Sequence, residues 1–323
     1  MKSPRDFIPE INMQPAKEFM SAMREQVERM KPTPDSIYAI HNSMRRMTNQ
    51  FDTPGPEMRD VQDFNVPRTD FPVPVRLYTP HQASDGPGPT LIYLHGGGFV
   101  TCSIESHEGL CKRLASGSGM RVLSVDYRLA PQFPYPAGPD DCEAVLKWAL
   151  QGYGQDDYNI DRAQIALGGD SAGGNMTAYL CQKYRDQIKA QILFYPLMQL
   201  VDFKPPKPGP QDWLQLGFMA LKFIDEHYTH GADTQDTRLS PLFEKDLTGI
   251  PPTYVLTCGL DPLRDEGKLY ADNLSAHGVK VVYVYEKMLP HGFLNFARAF
   301  PKGRKIPLDA ADFLRDTLRA SAA

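Results

Sequence analysis

A chain of 323 residues with 41% hydrophobic content is long enough for one large buried core plus a small accessory part. Its 35 basic and 39 acidic residues nearly cancel, to a net charge of -4, and no basic run exceeds Arg45-Arg46, which argues against nucleic acid or another polyanion as a partner. Neither an apolar leader nor a run of about 18 apolar residues is present, so a cytoplasmic protein with no membrane span is expected.

In chain order, 15–30 reads as an amphipathic helix with Phe19, Met20, Met23, Val27 and Met30 on one face, stopped by Pro32 and Pro34. A second helix is expected over 35–47, capped by Asp35. Their methionine-rich faces suit ordinary packing, or a lid whose partners change. Strands are then predicted at 61–66, 73–78, 90–94, 121–125, 164–167, 190–194, 253–257 and 280–285. Helices are predicted at 109–115, 140–150, 175–185, 266–276 and 308–320. Runs such as 192–194 and 281–284 are apolar on both faces, as in strands covered by helices on both sides. The alternation implies an α/β fold: a mostly parallel, doubly wound sheet that opens with antiparallel strands. A proline-rich connector at 204–210 and a helix over 212–228 interrupt this rhythm as an insertion. The expected division is 1–50 as the N-terminal part of a helical cap, 51–202 as core, 203–230 as the cap insertion and 231–323 as core. The five cysteines are scattered and lack CxxC spacing, so they are expected to be buried thiols rather than disulfides or metal ligands.

The turn Gly169-Asp170-Ser171-Ala172-Gly173 lies between a predicted strand and a predicted helix. A serine there is held on a sharp bend that projects its hydroxyl above the sheet, with small neighbours letting strand and helix approach. The second motif is His95-Gly96-Gly97-Gly98-Phe99, directly after the strand at 90–94. Three glycines in a row form a loop whose N–H groups can converge on a developing oxyanion. His95 is expected to shape that loop.

A serine nucleophile needs a base, and the base needs a carboxylate to orient it. In the chain order of such enzymes the acid comes next and the histidine last. Asp261, the first acid after the strand at 253–257, is the expected carboxylate, with Asp265 and Glu266 read as ordinary acids of a helix N-terminus. His291 alone has the required order and place, just past the last strand, which is expected to end near 287. His41, His81, His107, His227, His230 and His277 are assigned no role.

With these residues the sequence resembles the hormone-sensitive-lipase-type carboxylesterases of the α/β-hydrolase superfamily. The resemblance rests on HGGGF at 95–99, DYRLAP at 126–131, GDSAGG at 169–174, DPLRDEG at 261–267 and HGF at 291–293. It implies an α/β-hydrolase fold, with a mostly parallel eight-stranded sheet flanked by helices and a helical cap. It also implies a triad of Ser171, Asp261 and His291, and an oxyanion hole from the N–H groups of Gly97, Gly98 and Ala172. The expected partner is a small-molecule ester with a short to medium acyl chain; no metal or organic cofactor is expected, and a homodimer is left open. Cys102 departs from the family pattern, standing where glycine is frequent, as does Gln132 where glutamate is common. Amide hydrolysis by the same triad and a catalytically dead binding protein on the same fold remain alternatives, the second disfavoured by His291.

Overall fold

The computed structural model describes residues 44–201 and 224–322, together with residues 18, 21, 221 and 222. Nearly all of the expected helices over 15–30 and 35–47 and most of the insertion at 203–230 lie outside the described residues. Residues 44–51 are helical, continuing past the predicted end at 47.

All eight predicted strands are present: β1 (Asp60–Val66), β2 (Val73–Thr79), β3 (Gly88–Leu94), β4 (Arg121–Val125), β5 (Ile160–Asp170), β6 (Ile188–Phe194), β7 (Thr253–Leu260) and β8 (Val281–Pro290). They form one sheet in the order β1-β2-β4-β3-β5-β6-β7-β8. β1–β2 and β2–β4 pair antiparallel, and every later pair is parallel. Among the described residues, the longest helices beside it are α1 (Ile104–Ser118), α2 (Ala137–Leu150), α3 (Ala172–Lys183), α4 (Arg264–Ala276) and α5 (Lys302–Ala322). β4 and β6 are buried almost throughout, as two-sided helix cover requires.

β8 departs from the expectation in two ways. It is the edge of the sheet rather than a covered strand, with Val282 37% and Tyr285 46% exposed, and it runs three residues beyond 287. Its apolar run is compatible with two-sided burial, yet a run of β-branched and aromatic residues suits any strand and does not reveal where the strand sits in the sheet. α1 also starts earlier than predicted. Ser106 Oγ accepts from Ser103 N (2.9 Å) and donates to Ser103 O (2.8 Å), closing the helix N-terminus. Gly109, which looked like the boundary, is mid-helix, where an added Cβ would collide with the Asp52 carboxylate.

That carboxylate belongs to a buried ion pair. Arg113 Nη2 on α1 donates to both Asp52 oxygens (3.1 and 3.2 Å) and to Leu294 O (3.1 Å), while Ala297 N donates to Asp52 Oδ1 (3.0 Å). Arg298 N donates to Phe51 O (2.8 Å). Residues 51–53 therefore tie α1 to the segment that follows β8. Truncating one member of a buried pair strands the other charge in a medium that solvates it poorly, at a typical cost of about 3 to 5 kcal/mol. Asp52→Ala is expected to lower the urea-unfolding free energy by about that amount; a loss below about 1 kcal/mol would mean that the pair does not hold these segments together.

Candidate active site

β3, β5, β7 and β8 each end at the same edge of the sheet, and each delivers one part of the site. Ser171 follows β5, His95 to Gly98 follow β3, Asp261 follows β7 and His291 follows β8. This is the C-terminal edge of the parallel strands, where α/β folds place their ligands.

Ser171 occupies the single residue between β5 and α3, with φ 53° and ψ −119°. That is a costly conformation for a residue with a Cβ, and surrounding contacts hold it. Ser171 N donates to Phe194 O (3.0 Å), and Ser171 O accepts from Asn175 N (3.1 Å) and Leu197 N (3.1 Å). The flanking glycines are needed for space. A Cβ on Gly173 would overlap the carbonyl oxygen of Leu94 and come within 2.6 Å of that of His95, and one on Gly169 would lie 2.5 Å from the Gly173 backbone.

His291 bridges the two other expected members. Its Nε2 lies 2.9 Å from Ser171 Oγ and its Nδ1 lies 2.8 Å from Asp261 Oδ2. The Asp261 side chain is fully buried, and its other oxygen accepts from Leu263 N (2.8 Å), so the carboxylate cannot swing away from the ring. Burial alone would favour neutral imidazole, but the charge and hydrogen bond of Asp261 outweigh it, helped by Asp170 and Glu266, and raise the His291 pKa above its ordinary 6.5. The Tyr195 ring packs 4.8 Å from the imidazole.

The glycine loop curls back on itself, with Thr101 N and Val100 N donating to Gly97 O (2.9 and 3.2 Å). Gly97 and Gly98 both have positive φ, 109° and 64°, and among the described residues their N–H groups have no hydrogen-bond partner. Ala172 opens α3, so its N–H has no partner within the helix. His95 stacks on Tyr127 at 4.2 Å, and its Nδ1 lies 2.8 Å from Gly96 O, the loop-shaping place expected of it. Cys102 adopts φ 72°, a left-handed geometry that accounts for glycine being at home there. Burial pushes its thiol up to about 11, so it is not a competing nucleophile near neutral pH. All five cysteines are free and buried.

The end of the insertion reaches the same loop. Tyr228 stacks on Phe99 with ring centres 3.9 Å apart, and a Cβ on Gly98 would lie 2.7 Å from Ile224 Cδ1.

Two residues given bland roles behave otherwise. Glu266 accepts from Met198 N (2.6 Å) and Gln199 Nε2 (3.1 Å), and burial pushes its carboxyl up to about 8. It is thus a buried clamp on the segment after β6, whereas Asp265 pairs at the surface with Arg264 (2.7 Å) as a helix-terminal acid would. His107 is buried on α1 and lies 3.1 Å from Asp170 Oδ1, although its helical position carried no sequence signal for this.

Comparison with known proteins places the fold in a family. The model of a family described as alpha/beta hydrolase fold matches residues 91–295. The carboxylic ester hydrolase LipN of Mycobacterium tuberculosis is 36% identical over 273 residues, 81% of this chain and 71% of that one. An ester hydrolase from the metagenome of Lake Arreo, solved with a bipyridine phosphonate derivative, superposes with a TM-score of 0.82 at 33% identity, covering 94% of this chain and 98% of that one. An esterase of the bacterial hormone-sensitive lipase family superposes with a TM-score of 0.80 at 26% identity, covering 94% and 98%. The strand order, the serine turn after β5 and these matches together place the chain in the α/β-hydrolase fold family, among the hormone-sensitive-lipase-type esterases.

Proposed function

We propose that the protein is a serine carboxylesterase that hydrolyses short- to medium-chain acyl esters through Ser171, His291 and Asp261. The observation that carries the reading is the continuous line from Asp261 Oδ2 through both ring nitrogens of His291 to Ser171 Oγ, at 2.8 and 2.9 Å. With Nδ1–H donating to Asp261, Nε2 is the acceptor for the serine proton, which is the tautomer a general base requires.

In the first half-reaction Ser171 Oγ attacks the ester carbonyl while His291 Nε2 takes its proton. The new oxyanion is received by the N–H groups of Gly97, Gly98 and Ala172. The imidazolium then protonates the leaving alcohol, and the C–O bond breaks to leave the acyl-enzyme. Water, deprotonated by the same nitrogen, attacks the acyl carbon, and collapse of the second tetrahedral intermediate returns the proton to Ser171 and releases the acid. The activated serine is itself the nucleophile, so neither a metal-bound hydroxide nor an organic cofactor is required. Residues 1–50 and 203–230 serve as the cap in this reading. The stacking of Tyr228 on Phe99 and the approach of Ile224 to Gly98 support a confined acyl pocket whose wall includes the end of the insertion.

A series of p-nitrophenyl esters of increasing acyl length tests the activity directly. Wild type is expected to turn over the shorter members fastest, and Ser171→Ala to remain folded with less than about a thousandth of that rate. Ser171→Ala retaining a tenth of wild-type turnover would remove Ser171 from its assigned role.

Asp261→Asn should cut kcat by about 10⁴ by holding the wrong histidine tautomer. Asp265→Asn, which loses only an exposed ion pair, should change kcat less than about twofold. The opposite ranking in parallel assays would transfer the acid role to Asp265.

Neutral His291 is the reactive form, so kcat/KM should rise with pH, and because Asp261 raises the imidazole pKa the midpoint should lie above 6.5. Below that midpoint the ring is protonated and cannot accept the serine proton. A wild-type midpoint below 6.5 would contradict the Asp261–His291 coupling.

A further inference from the structure

One buried carboxylate next to the nucleophile has no part in that mechanism. Asp170 immediately precedes Ser171 and is 3% exposed. Its Oδ1 accepts from Tyr93 Oη on β3 (2.9 Å) and from Gly96 N in the glycine loop (3.0 Å). The fit is tight, since a Cβ on Gly96 would lie 2.5 Å from Asp170 Oδ2. A carboxylate at the end of β5 therefore holds the backbone one residue before the two N–H groups assigned to the oxyanion.

His107 sits on the far side of that carboxylate, and hydrogen-bond counting places one of its protons. Ser106 Oγ gives its only proton to Ser103 O (2.8 Å) and accepts from Ser103 N (2.9 Å), so towards His107 Nδ1 (2.9 Å) it can only accept again. Nδ1 therefore carries a proton. His107 Nε2 faces Asp170 Oδ1 at 3.1 Å, and the Asn295 amide lies against the same nitrogen at 2.9 Å. Burial works against charge on Asp170, yet His107 and the Tyr93 hydrogen bond hold the carboxyl below its ordinary range. The other titratable groups that interact with it are His95, Cys102, Cys111, Tyr127, Tyr195 and His291.

We propose that Asp170, held between His107 and Tyr93, is a positioning residue that sets the height of the oxyanion loop against Ser171 through Gly96 N. The proposal rests on the esterase reading above. Its consequence is selective: a loop that drifts from Asp170 still admits substrate but fails the charge that develops on the carbonyl oxygen. The loss should fall on kcat and on binding of a tetrahedral boronate at Ser171, with KM spared.

The test is steady-state hydrolysis of p-nitrophenyl butyrate, with inhibition by propylboronic acid, on the full chain. Asp170→Ala removes the acceptor; kcat should fall about 100-fold, the size expected for one oxyanion donor, with boronate binding weakened comparably and KM within about twofold. Asp170→Asn restores an acceptor oxygen for Gly96 N and Tyr93 Oη, and its kcat should return to within about fivefold of wild type. Gly96→Ala drives the loop off an intact Asp170 and should cost at least about tenfold in kcat, again with KM spared.

The proposal is overturned if folded Asp170→Ala keeps kcat within about threefold of wild type, if KM rises in step with the loss, or if Asp170→Asn is as slow as Asp170→Ala. Should Asp170→Ala show no cooperative melting, Gly96→Ala decides, and kcat within about threefold of wild type overturns the proposal. Wild type without turnover of any short ester would instead defeat the esterase reading, and this inference with it.

Discussion

The first turn of α3 lies against the end of β3 so closely that a methyl group on Gly173 would overlap the Leu94 carbonyl oxygen. Much of the site follows from that approach. It leaves only Ser171 to turn the chain from strand to helix, which forces φ to 53° and lifts the hydroxyl clear of the sheet. It also sets the open N–H at the start of α3 beside the loop that leaves β3. The strain is held by buried backbone hydrogen bonds from Phe194, Asn175 and Leu197, which are rigid because β5, β6 and α3 form the interior of the fold.

Around this bend the fold arranges carboxylates at different depths, and environment gives each a different function. Asp261 is buried but faces one nitrogen of His291 and one backbone N–H, so its charge is spent on orienting that imidazole. Glu266, five residues later, meets a backbone N–H and an amide but no cation among its described hydrogen-bond partners, and burial pushes its carboxyl up to about 8. Asp170 faces His107 and stays below its ordinary range despite complete burial. The difference lies in whether a histidine accompanies the carboxylate into the low-dielectric interior.

The segments that carry Ser171, Asp261 and His291 are distant in sequence, and the fold joins them with a few polar ties. Arg113 and Asp52 link α1, the 51–53 segment and the stretch after His291. Asn295, four residues beyond His291, reaches His107 on the same helix. α1 thus ties to the segment after His291 through Arg113 and touches the serine turn through His107, so His291 and Ser171 share one scaffold.

The sequence by itself determined the α/β class, all eight strands and the serine turn, and it singled out Ser171, Asp261 and His291, which the fold brings within hydrogen-bond reach of one another. These are local signals, carried by glycines at bends that admit no side chain, by apolar runs of strand length and by the order of three reactive residues along the chain. Only the tertiary structure decided that β8 is an edge strand with Tyr285 in solvent, because an apolar run records the liking of its residues for a strand and not the number of its neighbours. It alone separated Glu266 from Asp265, adjacent acids of which one turns inward to Met198 and the other outward to Arg264. It alone brought His107 to Asp170, across 63 residues of chain. A side chain's partners across that distance depend on how α1 packs under the sheet, and no periodicity in the sequence encodes which of its polar faces meets the end of β5.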